Sequence, residues 1–237
     1  MNLITTLTIL SIIPSVILGA IIYKNDQVEK EPGKLLISLF LGGIIIVYAV
    51  IFVTNILKTT IPFFDKNISE LPYFEMFLSI LFGIALIEEG FKWIVFKKLA
   101  WNNKSFDYMY DSIVYMVFIG LGFATVENFI YVVDGGLWVA IIRALCSVPG
   151  HVFFAIYMGY YYGLARQSRI NGNKKLEKIN LLKSLLVPII LHTIFNFCLF
   201  AGDSRILFFY IVFVVILYIR SFKKVHQLSK IKLKMNN

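Results

Sequence analysis

The chain has 237 residues, 59% of them hydrophobic, and a formal net charge of +9. A mean hydropathy of +0.78, spread along nearly the whole length instead of alternating with polar faces, excludes an ordinary soluble domain. The basic surplus sits in alternate loops, so it reads as membrane topology and argues against a nucleic-acid surface.

Seven apolar stretches of spanning length follow one another: Leu3 to Tyr23, Leu35 to Leu57, Tyr73 to Phe96, Tyr108 to Val133, Leu137 to Ala165, Leu181 to Phe200 and Ile206 to Phe222. About 20 apolar residues cross the hydrocarbon layer as a helix, and backbone groups in lipid must bond within their own segment. The expectation is an all-α, polytopic transmembrane bundle forming one domain over 1–237. The catalytic core falls at about 73–200 and a basic tail at about 220–237. The first stretch lacks the basic start of a cleaved signal peptide and is read as retained.

Lys24, Lys30 and Lys34, then Lys97, Lys98 and Lys104, a loop near Arg166 to Lys183 and the tail from Arg220 to Lys234 carry most of the positive charge. The intervening loops hold only Lys58, Lys66 and Arg205, and Lys92 and Arg143 are left over outside the loops. Under the positive-inside rule the N-terminus is outside and the C-terminus is cytoplasmic. The tail reads as a contact with anionic lipid. Cys146 and Cys198 lie in apolar sequence and read as small buried hydrophobes instead of a disulfide or a nucleophile.

Ionisable groups inside a span are costly and call for a reason. The third span holds Glu88-Glu89-Gly90-Phe91-Lys92, with Glu88 and Lys92 one turn apart on one face, so one carboxylate can pair with Lys92 and the other stay free. The fourth holds Glu127-Asn128 after Gly120, Gly122 and Ala124, small residues that admit a neighbouring backbone. In the fifth, Pro149-Gly150 is expected to interrupt the helix just before His151, leaving a short outer piece that carries Arg143. His151 heads a stripe of Ala155, Gly159 and Gly163 suited to close packing. The sixth places His192 and Asn196 one turn apart. A single residue of this kind is usually structural: an ion pair, a snorkelling Glu or a bonded core His. Six of them in four consecutive spans point to one site, with Glu88 and His192 near mid-membrane and Glu127 and His151 in the outer half. The cluster is therefore expected to open outward.

These residues resemble the PrsW family of intramembrane proteases, relatives of the CAAX-processing endopeptidases and bacteriocin-immunity membrane proteins. The likeness lies in Glu88-Glu89-x-x-Lys92, Phe123-x-x-x-Glu127-Asn128, His151 with its stripe, His192-x-x-x-Asn196, and Glu31-Pro32 after the first span. The CAAX-processing relatives end the second motif in His, where this chain has Glu127. The resemblance implies a multi-pass cell-membrane protein that cleaves a membrane-bound anti-sigma factor in its extracytoplasmic part, freeing a sigma factor under envelope stress.

For peptide hydrolysis, Glu88 reads as general base on water, His192 and Asn196 as oxyanion donors, and His151 as a water ligand or acid for the amine. Glu127 would orient a histidine, while Lys92 balances Glu89. No cofactor is required by this scheme. Glu88, Glu127, His151 and His192 could alternatively hold zinc, although no His-Glu-x-x-His helix is present. A proton- or ion-coupled transporter, or a non-enzymatic immunity or scaffold relative, are the other classes such a cluster fits.

Overall fold

The computed structural model describes residues 3–231 and 234–235, and all regular elements among them are helical. The helices are α1 (Leu3–Asn25), α2 (Gly33–Thr60), the short α3 (Pro62–Asp65), α4 (Tyr73–Ile80), α5 (Leu86–Leu99), α6 (Asp111–Ile142), α7 (Val148–Ile170), α8 (Lys174–Phe200) and α9 (Ser204–Leu228). A wide π-turn, Leu81–Ala85, joins α4 to α5 without a break, and a second, Arg143–Ser147, joins α6 to α7.

The bundle is organised around α6, most of whose first half is buried. Small residues allow this. A Cβ on Gly122 would stand 2.0 Å from the Phe40 carbonyl oxygen, and one on Gly43 would stand 2.1 Å from that of Ile119, so α2 and α6 touch backbone to backbone. Helix α1 runs antiparallel along α6, as shown by hydrogen bonds from the Tyr110 hydroxyl to the Ile22 carbonyl (3.0 Å) and from the Asn128 amide to the Ser11 carbonyl (2.9 Å). The expected stripe on α7 meets α6 from the other side. Gly159 faces the Ser112 carbonyl, where a Cβ would come within 2.5 Å, and Ala155 lies against Gly120. Large apolar side chains such as Ile45, Phe52, Phe208 and Phe209 cover the outside, as a lipid-facing surface requires.

Among the described residues, five helical stretches are long and apolar enough to cross a membrane: Thr5–Asn25, Gly33–Thr60, Asp111–Ile170, Lys174–Phe200 and Ser204–Leu228. The difference from seven expected spans has two causes. The 60-residue stretch contains two of the expected spans, because Gly136, at φ 72° and ψ −159°, lets the chain fold back so that α7 packs antiparallel on α6. The segment from Tyr73 to Leu99 is helical throughout but carries Glu88, Glu89, Lys92, Lys97 and Lys98, too many charges for a simple hydropathy criterion.

One local expectation is corrected. The helix does not break at Pro149-Gly150; the departure from helical geometry comes earlier, at Gly136. Pro149 sits in the first turn of α7, directly after the π-turn, where the Val148 N–H reaches back five residues to the Arg143 carbonyl. That wider register absorbs the proline ring and its missing donor. His151 thus lies one turn inside a continuous helix. Cys146 and Cys198 are free, as expected.

Candidate active site

Four elements bring the expected residues together. Helix α5 supplies Glu88, Glu89 and Lys92, α6 supplies Glu127, α7 supplies His151 and α8 supplies His192 and Asn196. Glu88, Glu89, Lys92, His151 and His192 are all buried. The π-turn before α5, where the Leu86 N–H reaches back to the Leu81 carbonyl, adds a residue and so shifts the face on which Glu88 and Glu89 lie relative to the register of α4.

The network is continuous. Lys92 Nζ donates to Glu89 Oε1 at 2.7 Å and stands 3.6 Å from Glu88 Oε2, so the ammonium serves the adjacent-turn Glu89 first and Glu88 only as a looser ion pair. It also reaches His151 Nδ1 at 3.2 Å, while His151 Nε2 lies 2.9 Å from Glu127 Oε2. An ammonium can only donate, so Nδ1 accepts and the proton of a neutral His151 is on Nε2, pointing at Glu127. His192 Nδ1 lies 3.1 Å from Glu89 Oε1, and Asn196 Nδ2 lies 3.1 Å from His192 Nε2. The same logic puts the His192 proton on Nδ1. His192 stacks on Phe154, with ring centroids 4.9 Å apart, and Lys92 lies over the Phe123 ring at 4.2 Å.

Arg143 and Asn128 complete the group, and neither was given a role from sequence. The Arg143 guanidinium donates to Glu127 Oε2 (2.6 Å) and to Asn128 Oδ1 (3.1 Å), while Asn128 is itself tied to α1. The available signal was charge: Arg143 was one of two basic residues left outside the loops, and an intramembrane arginine needs an anion. With Arg143 included, three carboxylates face two permanent cations. Glu88 is the acid left in excess, since it accepts no hydrogen bond among the described residues and its Oε2 is buried.

A cavity of about 470 Å³ adjoins the cluster, with Glu88, Glu127, Arg143, His151, His192 and Asn196 on its wall. Val50, Thr54, Leu57 and Lys58 of α2, together with Phe64 and Ile68 of the α2–α4 connection, line its other side. It therefore lies toward the end of the bundle whose loops carry few basic residues.

The chain matches the profile described as PrsW family intramembrane metalloprotease over residues 31–220. The chain belongs to the PrsW family. Relatives named Protease PrsW include that of Oceanobacillus iheyensis, 37% identical over 215 residues covering 90% of this chain and 92% of the relative. Those of Clostridioides difficile (35% identical, 90% and 87% covered) and Bacillus subtilis (32% identical, 87% and 88% covered) are similar. No solved structure matches the chain. It is thus a multi-pass membrane peptidase, which removes the transporter and scaffold alternatives.

The family description includes a metal, and the donors here fit one. One ligand atom from each of Glu88, Glu89 and His192 lies within 4.8 Å of the others, as do those of Glu88, Glu127 and His151. The buried oxygens Glu88 Oε2 and Glu89 Oε2 have no hydrogen-bond partner among the described residues. Two imidazoles with carboxylates form an ordinary donor set for zinc.

Proposed function

We propose that this PrsW protease cuts a membrane-bound anti-sigma factor on its extracytoplasmic side, with Glu88 as the base that activates water. The observation carrying this reading is the excess carboxylate. Glu88 stands on the cavity wall, is buried and accepts no hydrogen bond among the described residues, beside a Glu89 whose Oε1 is held by both Lys92 and His192. An outward cut is supported by the cavity lying toward the weakly basic end, which the positive-inside rule assigns to the outside.

In this scheme Glu88 takes a proton from water as the oxygen attacks the scissile carbonyl carbon. Asn196, on the cavity wall one turn from His192, donates to the oxyanion, and His192 adds a second donor when protonated. Glu88 then returns that proton to the leaving amine as the C–N bond breaks, directly or relayed through His151, so both groups end in their starting protonation states. Glu127 positions His151, and Arg143 positions Glu127. Lys92 balances the charge of Glu89 and holds the His151 tautomer.

A metal-dependent variant of the same reaction is favoured by the donor set. Glu88, Glu127, His151 and His192 would hold the ion, which when bound polarises the carbonyl and acidifies water. Metal analysis of purified protein, with cleavage assayed after chelation, separates the two: full activity in metal-free protein supports the glutamate scheme, and loss restored by zinc supports the other.

The test of the main reading is co-expression with a candidate membrane-bound anti-sigma factor. Glu88→Gln keeps the shape and removes the base, and cleavage should fall by about 10²- to 10⁴-fold. Fragments produced at the wild-type rate by that variant would reject Glu88, and an intact anti-sigma factor beside active wild-type enzyme would reject the substrate.

A further inference from the structure

At the opposite end of α6 lies a second buried acidic group that the proteolytic scheme does not use. Asp26 and Glu31 belong to the α1–α2 connection and Asp111 to the first turn of α6. They are only 4%, 4% and 1% exposed, and one carboxylate oxygen from each lies within 4.8 Å of the others. Each has some protein donor; the Asp26 carboxylate accepts from the backbone amides of Val28 and Glu29. Asp111 Oδ2 accepts the backbone N–H groups of Asp107 (3.0 Å) and Tyr108 (2.6 Å), and Glu31 accepts from the Tyr115 hydroxyl. Asp26 Oδ2 is buried without any hydrogen-bond partner.

Positive charge does not resolve this. The nearby Lys30 ammonium directs its hydrogens to main-chain carbonyls, those of Asp26 (2.5 Å) and Tyr23 (2.7 Å). None of the ion pairs among the described residues reaches any of the three carboxylates. Buried carboxylates without a counter-charge are unstable, and burial, then the adjacent Asp111, push the Glu31 carboxyl up to about 9. A proton shared between Glu31 and Asp111 would serve two of the three acids and leave Asp26 Oδ2 as it stands. A small cation serves all three.

We propose that Asp26, Glu31 and Asp111 bind one hard divalent cation, Mg²⁺ or Ca²⁺, which ties the α1–α2 connection to the start of α6. An all-oxygen donor set selects hard ions over zinc and distinguishes this site from the histidine-bearing cluster.

The probe is Mn²⁺ added to chelator-treated, full-length protein in detergent, with the free ion followed by electron paramagnetic resonance. One saturable site should persist in Glu88→Gln and weaken at least ~10-fold in Asp26→Asn, which removes one charged oxygen ligand. Whichever of Mg²⁺ and Ca²⁺ displaces Mn²⁺ at the lower concentration is the resident ion. Glu31→Gln serves as the second variant if Asp26→Asn does not elute as folded protein. A readout free of substitutions is Tb³⁺ emission sensitised by Tyr115, quenched by Ca²⁺. The proposal is overturned if wild type shows no saturable Mn²⁺ site and no quenchable Tb³⁺ emission. It is equally overturned if Glu88→Gln abolishes Mn²⁺ binding while Asp26→Asn and Glu31→Gln leave it unchanged.

Discussion

Glu127 and Asp111 stand sixteen residues apart on α6, about 24 Å along its axis. Each anchors a buried cluster of acids, and the two clusters handle their charge differently. Around Glu127, Lys92 and Arg143 lie within ion-pair distance of the carboxylates and two imidazoles bridge them, so that only Glu88 is left over. Around Asp111 the partners are backbone amides and a tyrosine hydroxyl. A cavity adjoins the first cluster. The contrast separates two ways of burying acids: internal cations fix the geometry and leave one carboxylate without a hydrogen bond, whereas neutral donors fix geometry without supplying counter-charge.

Removing the internal cation should break the first arrangement most severely. Lys92→Met strands Glu89 without its ammonium in a site 0% exposed to solvent, and loss of one partner of a buried pair costs about 3–5 kcal/mol. Unfolding of the purified protein in a denaturing detergent series measures this. A Lys92→Met/Glu89→Leu double variant should recover most of the loss, and failure to recover would mean that Lys92 matters for packing over Phe123 instead of charge.

Next in size is the middle of α6, which holds both clusters in register. Gly122→Ala drives a methyl to 2.0 Å from the Phe40 carbonyl oxygen, so α2 must move, at about 1–3 kcal/mol. Because backbone contact at this point sets both ends, proteolysis and the exposure of Asp26 to chemical labelling should change together. If only one changes, the clusters are mechanically independent.

At the acidic end, Tyr115→Phe removes the hydroxyl shared between Glu31 and the Ser105 carbonyl and should cost about 1–2 kcal/mol, as expected when a buried acceptor loses its donor. Proteolysis should be nearly unaffected, which is the sharpest test that this end is structural.

Much of this was legible in sequence because the bilayer imposes a coarse rule. Runs of about 20 apolar residues become helices whatever their neighbours, and a charge within them must find company. Glu88, Glu89, Glu127, His151, His192 and Asn196 stand out for that reason, and the structure gathers them around one network. Pairings were less legible. Helical spacing places both Glu88 and Glu89 within reach of Lys92, and only the folded structure shows that Glu89 takes the short contact, at 2.7 Å against 3.6 Å for Glu88. Arg143 looked like part of an outer piece because Pro149-Gly150 suggested a break there. The reversal is instead at Gly136, where a positive φ is needed, and a π-turn, which leaves no clear sequence signature, carries Arg143 back to Glu127. Asp26, Glu31 and Asp111 are not legible as one group because they lie at loop ends, where acids are ordinary, and only the tertiary fold buries them together.

The smallest effect is expected inside α5 itself. Gly90 lies between Glu89 and Lys92, yet a Cβ there meets nothing within 4 Å, in contrast to Gly122. If charge pairing and not close packing fixes this part of α5, Gly90→Ala should leave cleavage unchanged and stabilise the helix by up to about 1 kcal/mol through lower backbone freedom. A loss of activity with unaltered unfolding would show that substrate itself approaches the backbone at Gly90, making the open space beside it part of the path by which the scissile bond reaches Glu88.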